Sequence, residues 1–446
     1  MHVQIERALR DAARSGRLAP GAALPSSRTL ARDLGISRGV VVEAYQQLVA
    51  EGFLETLPAS RTVIARGVGR ASPDATEAPS AGMKFDFRPG LPDLTLFPRE
   101  DWGRAAWRVI RELRPHQLDY GDPRGTRELR SALAHYLGRA RGVVSGASRV
   151  VVCSGFAQAL GIVARGLASL GVRRLAMEDP GHPDQRRIVS QAGLTPVGVP
   201  VDQHGLVTDR LAGTRAKAAL VSPAHQFPTG SVLAPDRRRA LLAWAERESA
   251  FVIEDDYDAE YRYDRAPVGA LQGLAPDRVV YAGSASKILA PALRLGWLVV
   301  PPSLVEVTAE IKKWSDLGSS FIEQIVLAAF LQEGSLDRHL RRMRMVYRMR
   351  RDALLDALAR HRREWIPYGA AAGLHLMVAL PAGTSEHDVA VAAAKRSIRL
   401  YPMRQYAFGR RVHPPAVVMG YAGLTEREIG VGMARLAARA AVGRRS

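Results

Sequence analysis

Phe251-Val252-Ile253-Glu254-Asp255-Asp256-Tyr257-Asp258 reads as an apolar run that delivers an acidic cluster to the end of a buried strand. A second run, Val279-Val280-Tyr281, leads through Ala282-Gly283 to Ser284-Ala285-Ser286-Lys287, which places Lys287 thirty-two residues after Asp255, with Arg294 seven residues further on. The same rhythm recurs on both sides. Further apolar runs lie at Arg149–Cys153, Arg174–Met177, Pro196–Val201, Ala218–Val221 and Trp297–Val300, with helical patterns such as Arg237–Ser249 between several of them. Near-continuous apolar strands alternating with helices predict an α/β domain with a mainly parallel central sheet covered on both faces. In such sheets the chemistry gathers at the carboxyl ends of the strands. Five polar segments fall there: Ser154-Gly155, Glu178–Gly181, Ser222–Ala224, Glu254–Asp258 and Ser284–Lys287.

Their residue types form one coherent set. A desolvated lysine amine is a nucleophile toward an aldehyde, which makes Lys287 a candidate for a Schiff base. Ser284, Ser286 and Arg294 suit a phosphate dianion, together with backbone N–H groups of Gly155 and Phe156 at a helix N-terminus. Asp255 is placed to keep a pyridine nitrogen protonated, and Tyr257 to donate to a phenolate. Aldehyde, phosphate and ring nitrogen together describe pyridoxal 5′-phosphate (PLP). A cation bound by Asp255, Asp256 and Asp258 is the rival reading, although the Gly and distal Glu of an EF-hand loop are missing. Gly155 belongs to no dinucleotide or Walker pattern, and no His-Glu-x-x-His pair is present.

The chain of 446 residues is long enough for two or three domains, and its formal net charge of +19 favours polyanionic partners, nucleic acid first. The single cysteine, Cys153, excludes a disulfide framework. No apolar run approaches the roughly 18 residues of a spanning helix, and none follows Met1 as a signal peptide would. A cytoplasmic protein without a membrane partner is expected.

Residues 1–66 carry a different pattern. Val3–Ser15 has helical periodicity closed by Gly16, Ser26 or Ser27 opens a short helix that Gly35 ends, and Ser37 opens another with Val40, Val41, Ala44 and Leu48 inward. Two short helices around a glycine turn are a helix-turn-helix, whose second helix presents its N-terminal residues to the major groove. Those residues are Ser37, Arg38 and Gly39, with Arg38 suited to guanine or phosphate. Residues 59–64 read as a two-stranded wing. From 67 to 84 the Ala, Ser, Pro and Gly content predicts a flexible linker, and 85–446 forms the large domain.

Leu24-Pro25-Ser26-Ser27-Arg28-Thr29-Leu30-Ala31, Leu34–Arg38 and Ala44–Leu48 resemble the winged helix of GntR-type repressors, which implies DNA contacts at Arg28, Ser37, Arg38, Gly39 and Arg61. Residues 86–424 resemble a fold-type I (aspartate aminotransferase-like) domain through Phe87–Asp93, Tyr120–Gly125, Glu178–Gly181, His225–Gly230, Glu254–Asp258, Ser284–Lys287 and Leu293–Gly296. Together the two segments resemble the MocR/GabR family of transcriptional regulators, including PdxR-like members.

That resemblance implies Lys287 as the Schiff-base lysine, Asp255 at the pyridine nitrogen and Tyr257 at the phenolate. Gly155, Phe156, Ser284, Ser286 and Arg294 would surround the phosphate, with Tyr120 reaching it from the neighbouring subunit of a head-to-tail homodimer. His182 stands where a ring-stacking Tyr is usual, and Phe227 where aminotransferases carry Asn, with His225 and Gln226 as its candidate substitutes. No arginine lies within Val417–Ala422, where aminotransferases clamp a carboxylate, and Arg404, Arg410 and Arg411 are the nearest. The expectation is a regulator that binds promoter DNA and senses PLP itself, or an amine or amino acid, through Lys287. A working aminotransferase with a DNA-binding appendage is the alternative.

Overall fold

The computed structural model describes residues 1–58, 61–66, 83–263, 268–409 and 413–438. It divides into two compact units, Met1–Ala81 and Gly82–Ser446.

In the first unit, helices His2–Arg14, Ser27–Leu34 and Arg38–Ala50 precede a two-stranded antiparallel ribbon, Leu54–Leu57 against Arg61–Ile64. Local chemistry sets the boundaries. Ser26 caps the second helix by accepting from the Thr29 amide at 3.1 Å, and Gly35 ends it at φ +66°, a left-handed conformation that suits glycine. Val41, Ala44, Tyr45 and Leu48 are buried, and Val41, Tyr45 and Leu48 pack with Ala13, Ala31, Leu54 and Ile64. Val40, expected inside, is only half-buried, and Tyr45 takes the place by donating its hydroxyl to the Pro25 carbonyl at 3.0 Å. The wing also differs from expectation. Its first strand is Leu54–Leu57, upstream of the 59–64 segment, while Ala59 and Ser60 lie outside the described residues, as does 67–82 of the expected linker.

The second unit is built on an eight-stranded sheet. Its order is Val150–Cys153, Gly296–Val299, Val279–Ser284, Phe251–Asp256, Ala218–Val221, Arg174–Asp179, Thr195–Asp202 and Gly205–Leu206. The five strands from Val279–Ser284 to Thr195–Asp202 are mutually parallel. Gly296–Val299 runs antiparallel to both its neighbours. That reversal matters for the site, because it brings the start of this strand, and Arg294 just before it, to the edge where the parallel strands end.

Alternation along the strands feeds separate cores. Val151, Cys153, Ile253, Val280, Ala282 and Leu298 pack with the helix Phe156–Ser169. Val150, Val152, Tyr281, Trp297 and Val299 pack on the other side with Leu129, Leu133 and Leu137. Each fully buried Leu or Val contributes about 1.5–3 kcal/mol relative to exposure, so the strands that bear the site are anchored on both faces. A smaller antiparallel sheet of Ile366–Tyr368, His375–Ala379, Ala416–Gly420 and Tyr401–Pro402 completes the unit. Among the described residues, no helix is long and apolar enough to cross a membrane.

Candidate functional site

Strand Phe251–Asp256 extends through its acidic residues because their side chains point alternately and find different partners. Glu254 accepts from the amides of Leu271 and Gln272 at 2.8 and 3.0 Å. Asp256 takes the Arg141 guanidinium at 2.7 Å and the Tyr281 hydroxyl at 2.7 Å, all buried. These two carboxylates are structural. The rival reading of an Asp255, Asp256 and Asp258 cation site fails on this geometry, since Asp256 is committed to Arg141 and Tyr281.

Asp255 has no such partner. It is buried, its Oδ2 receives one hydrogen bond from Gln185 Nε2 at 2.9 Å, and burial pushes its carboxyl up to about 8. Lys287 lies in the short helix Ala285–Ile288, directly after strand Val279–Ser284. Burial holds its amine below the ordinary range against the opposing pull of Asp258 and Asp255, and the Arg88 charge lowers it further. The Phe87–Gly90 segment closes on it: a methyl group on Gly90 would sit 3.7 Å from Lys287 Nζ.

Gly155, at φ +84°, opens the helix Phe156–Ser169, so the first amides of that helix are free at the strand end. Arg294 adopts φ +50° and turns its guanidinium onto this turn, where it donates to the Ser154 carbonyl. A side chain on Gly155 would meet that guanidinium at 3.0–3.2 Å. Arg294 is exposed, and among the described residues no carboxylate pairs with it. Ser284 is buried and Ser286 half-buried, and neither hydroxyl makes a hydrogen bond among the described residues.

His182 is half-buried and its ring packs 5.5 Å from that of Phe227. Its Nδ1 accepts from the Asp184 amide at 3.3 Å, and burial, opposed by the Asp184 charge and aided by that of Lys287, holds its imidazole below the ordinary range. Tyr257 brings its hydroxyl to 3.1 Å from His225 Nδ1. Gln226 is used elsewhere, donating to Glu178 and the Pro180 carbonyl and accepting from Thr229. Phe227 is enclosed by the rings of His182, His375 and Tyr406 and offers no donor.

The chain thus brings Asp255 and His182 within electrostatic reach of Lys287, with Gly155 and Arg294 together at the same sheet edge. Tyr120 is not brought to them. It is 83% exposed and lines a groove of about 550 Å³ with Gly125, Ser319 and Gln324. Arg404 is exposed, and Arg410 and Arg411 lie outside the described residues. Val417, Val418 and Met419 are fully buried, so this strand presents no cation.

Three contributors escape a reading by sequence. Gln185, from the helix Pro183–Gln191, holds Asp255. Arg88 is the cation sensed by Lys287. Lys312, fully buried, donates to Asp316 at 2.6 Å, and Asp316 accepts from Gln158, whose Oε1 receives the Ser154 amide at 2.7 Å. Arg88 stands in a legible motif, but only the fold reveals its approach to Lys287, and Gln185 and Lys312 carry no local signal.

The residues present fit PLP on an observation of their own. A buried carboxyl with one hydrogen bond, a half-buried amine and a cradle whose guanidinium meets no carboxylate and whose two hydroxyls make no hydrogen bond among the described residues are the groups that a pyridinium, an aldehyde and a phosphate would engage.

Both units resemble known families. Residues 93–436 match the aminotransferase class I and II family, and residues 2–64 match the gntR family of bacterial regulatory proteins. The chain is 32% identical to the probable rhizopine catabolism regulatory protein MocR of Rhizobium meliloti, over 97% of this chain and 92% of that one. It is 36% identical to the pyridoxine biosynthesis transcriptional regulator PdxR of Corynebacterium glutamicum, over 80% and 78% respectively. The kynurenine aminotransferase of Pyrococcus horikoshii superposes with a TM-score of 0.73 at 26% identity, covering 80% of this chain and 90% of that one. The chain belongs to the MocR-type transcriptional regulators, in which a GntR-type DNA-binding domain is fused to an aminotransferase class I and II domain.

Proposed function

We propose that this regulator holds PLP at Lys287 and changes its grip on promoter DNA when the occupant of that site changes. Asp255 carries the reading. Burial raises this carboxyl to about 8 although the Gln185 amide donor and the Lys287 charge both oppose it, so it suits a further cation, and a protonated ring nitrogen is such a cation. Bound PLP supplies an aldehyde and an electron-withdrawing ring that capture primary amines. The chain's residues then have distinct tasks. Lys287 binds the aldehyde, Asp255 pairs with the ring nitrogen, Tyr257 donates to the phenolate and His182 covers one ring face. Ser284, Ser286, Arg294 and the amides of Gly155 and Phe156 take the phosphate, and Tyr120 reaches it from the partner in a head-to-tail homodimer.

In the first unit, Arg28, Ser37, Arg38, Gly39 and Arg61 are all exposed and make no ion pair among the described residues, as contacts to DNA require. Ser37 precedes the helix Arg38–Ala50 without its side chain capping it, which leaves the hydroxyl free for a phosphate. The effector acts by binding two arrangements of the protein unequally. PLP itself is the favoured effector, because the strand that would clamp an α-carboxylate presents Val417, Val418 and Met419, all buried. An amine or amino acid acting on the loaded site is the second candidate.

The test is fluorescence anisotropy of promoter DNA against PLP-free protein, with PLP added alone and then with a panel of amines. A change in affinity on PLP alone supports PLP sensing, and a change only after an amine is added overturns it. The fold of the second unit also favours an enzyme reading, given its likeness to a kynurenine aminotransferase. Sustained conversion of many amino acids by the purified protein would establish that alternative.

A further inference from the structure

Behind Tyr257 lies a buried polar group that the cofactor contacts do not use. His225 and Asp258 are each 1% exposed, and His375, at the start of strand His375–Ala379, is 0% exposed. His225 Nδ1 sits 2.9 Å from Asp258 Oδ2 and 3.1 Å from the Tyr257 hydroxyl. The His375 ring packs 4.8 Å from that of His225. The arrangement is built into the backbone. Gly373 adopts φ +80°, and a methyl group there would overlap both the His225 ring and the Asp258 carboxylate. The Gly373 carbonyl is fixed by the hydroxyls of Tyr263 and Tyr421 at 2.7 and 2.6 Å.

The hydrogen bonding has a definite sense. A carboxylate only accepts, so Asp258 places the proton on His225 Nδ1. The Tyr257 oxygen, close to the same nitrogen, is then a second acceptor, which leaves its own hydrogen for another partner. Asp258 is also a hydrogen-bond partner of that hydroxyl, and burial together with Asp258 holds the phenol well above its ordinary range, so Tyr257 keeps the hydrogen that Asp258 and the phenolate oxygen compete to accept. The other charged groups facing it are Asp255 and Glu178. Phe227, on the neighbouring loop, supplies no donor to share the task.

We infer that His225 is a positioning residue that turns the Tyr257 hydroxyl toward the cofactor's phenolate oxygen, with Asp258 fixing the imidazole tautomer. The inference rests on the proposed placement of Tyr257 at the phenolate. A donor makes that oxygen less basic, so the bound chromophore loses its proton at lower pH with the donor than without it.

The experiment titrates the visible absorption of the PLP-loaded full-length protein against pH. Tyr257→Phe is expected to raise the midpoint by about one on the pH scale. His225→Phe should move it in the same direction, and the double variant should match Tyr257→Phe alone, because His225 acts through that hydroxyl. His225→Gln, which keeps an N–H donor, should recover most of the change. Additive effects in the double variant, or an unmoved midpoint in a fully loaded His225→Phe protein, overturn the inference. If His225→Phe fails to fold, His225→Leu, which also lacks an N–H donor, takes its place: a midpoint equal to wild type overturns the inference. An unmoved midpoint in Tyr257→Phe defeats the placement of Tyr257 itself, and the inference with it, whereas failure of His225 alone leaves that placement standing.

Discussion

At Asp255 a single carboxyl group links stability to ligand. Its ordinary value is about 3.9, and in the native chain burial pushes it to about 8. Between those limits the native state binds a proton that the unfolded chain has released, so this residue's contribution to stability falls as pH rises across the window. Asp255→Asn removes the liability, because a neutral amide needs no proton. The variant without PLP is therefore expected to melt at a higher temperature than wild type at pH 8, with the difference shrinking toward pH 5. The same change should weaken PLP binding at least tenfold, equivalent to about 1.4 kcal/mol, by removing the ring-nitrogen partner. Equal PLP affinity in the two proteins, measured by titration of the visible band, would refute the assignment. Arg88 offers a contrasting case, since Lys287 senses its charge while it is exposed and, among the described residues, unpaired. Arg88→Ala should reduce the response to carboxylate-bearing amines several-fold and leave the response to simple amines unchanged. An equal loss for both would show that Arg88 does not select the ligand.

The elements were legible wherever a periodic pattern and a breaker coincided. Ala218–Val221 lies where its apolar run predicts, and the pattern at Arg237–Ser249 becomes the helix Pro235–Arg247. Strand ends were less legible, because Glu254, Asp255 and Asp256 look like a loop in sequence. They continue the strand only because Arg141, Tyr281 and two backbone amides, distant in the chain, satisfy Glu254 and Asp256. The direction of Gly296–Val299 was likewise invisible, since an apolar run carries no sign of antiparallel pairing. Composition also conceals the Lys312 network, in which buried Lys312 pairs with half-buried Asp316 at ordinary helical spacing on Val305–Asp316 and supports the Ser154 turn through Gln158. Breaking such a pair leaves a partly buried charge without its partner. Lys312→Met should therefore lower stability by about 2 kcal/mol in urea unfolding, between the costs of breaking an exposed and a buried pair, and weaken PLP binding through the loosened Ser154-Gly155 turn. A loss below about 1 kcal/mol, the range of an exposed pair, with unchanged PLP affinity would mean that the turn holds itself.

Across the whole molecule the charge is distributed in an unexpected way. Residues 1–81 contain ten arginines, no lysine and eight carboxylates, so nearly all of the +19 belongs to the second unit. On the proposed reading the helix-turn-helix would therefore contact DNA through a few exposed cations, Arg28, Arg38 and Arg61, and not through a dense basic surface. The excess on the second unit acts at longer range, limited by a Debye length of about 8 Å at physiological ionic strength. Two kinds of salt dependence follow. Removing one phosphate-binding arginine from the first unit should reduce the slope of log K against log salt by about 0.9. The general attraction of the second unit should persist. Replacing Arg28, Arg38 and Arg61 together with Ala is expected to abolish discrimination between promoter and scrambled DNA while leaving weak, salt-sensitive binding to both. Anisotropy titrations across a salt series measure both quantities in one experiment. A triple variant that no longer binds any DNA at low salt would show that the charge of the second unit takes no part in DNA association, and one that still prefers the promoter would move the reading residues elsewhere.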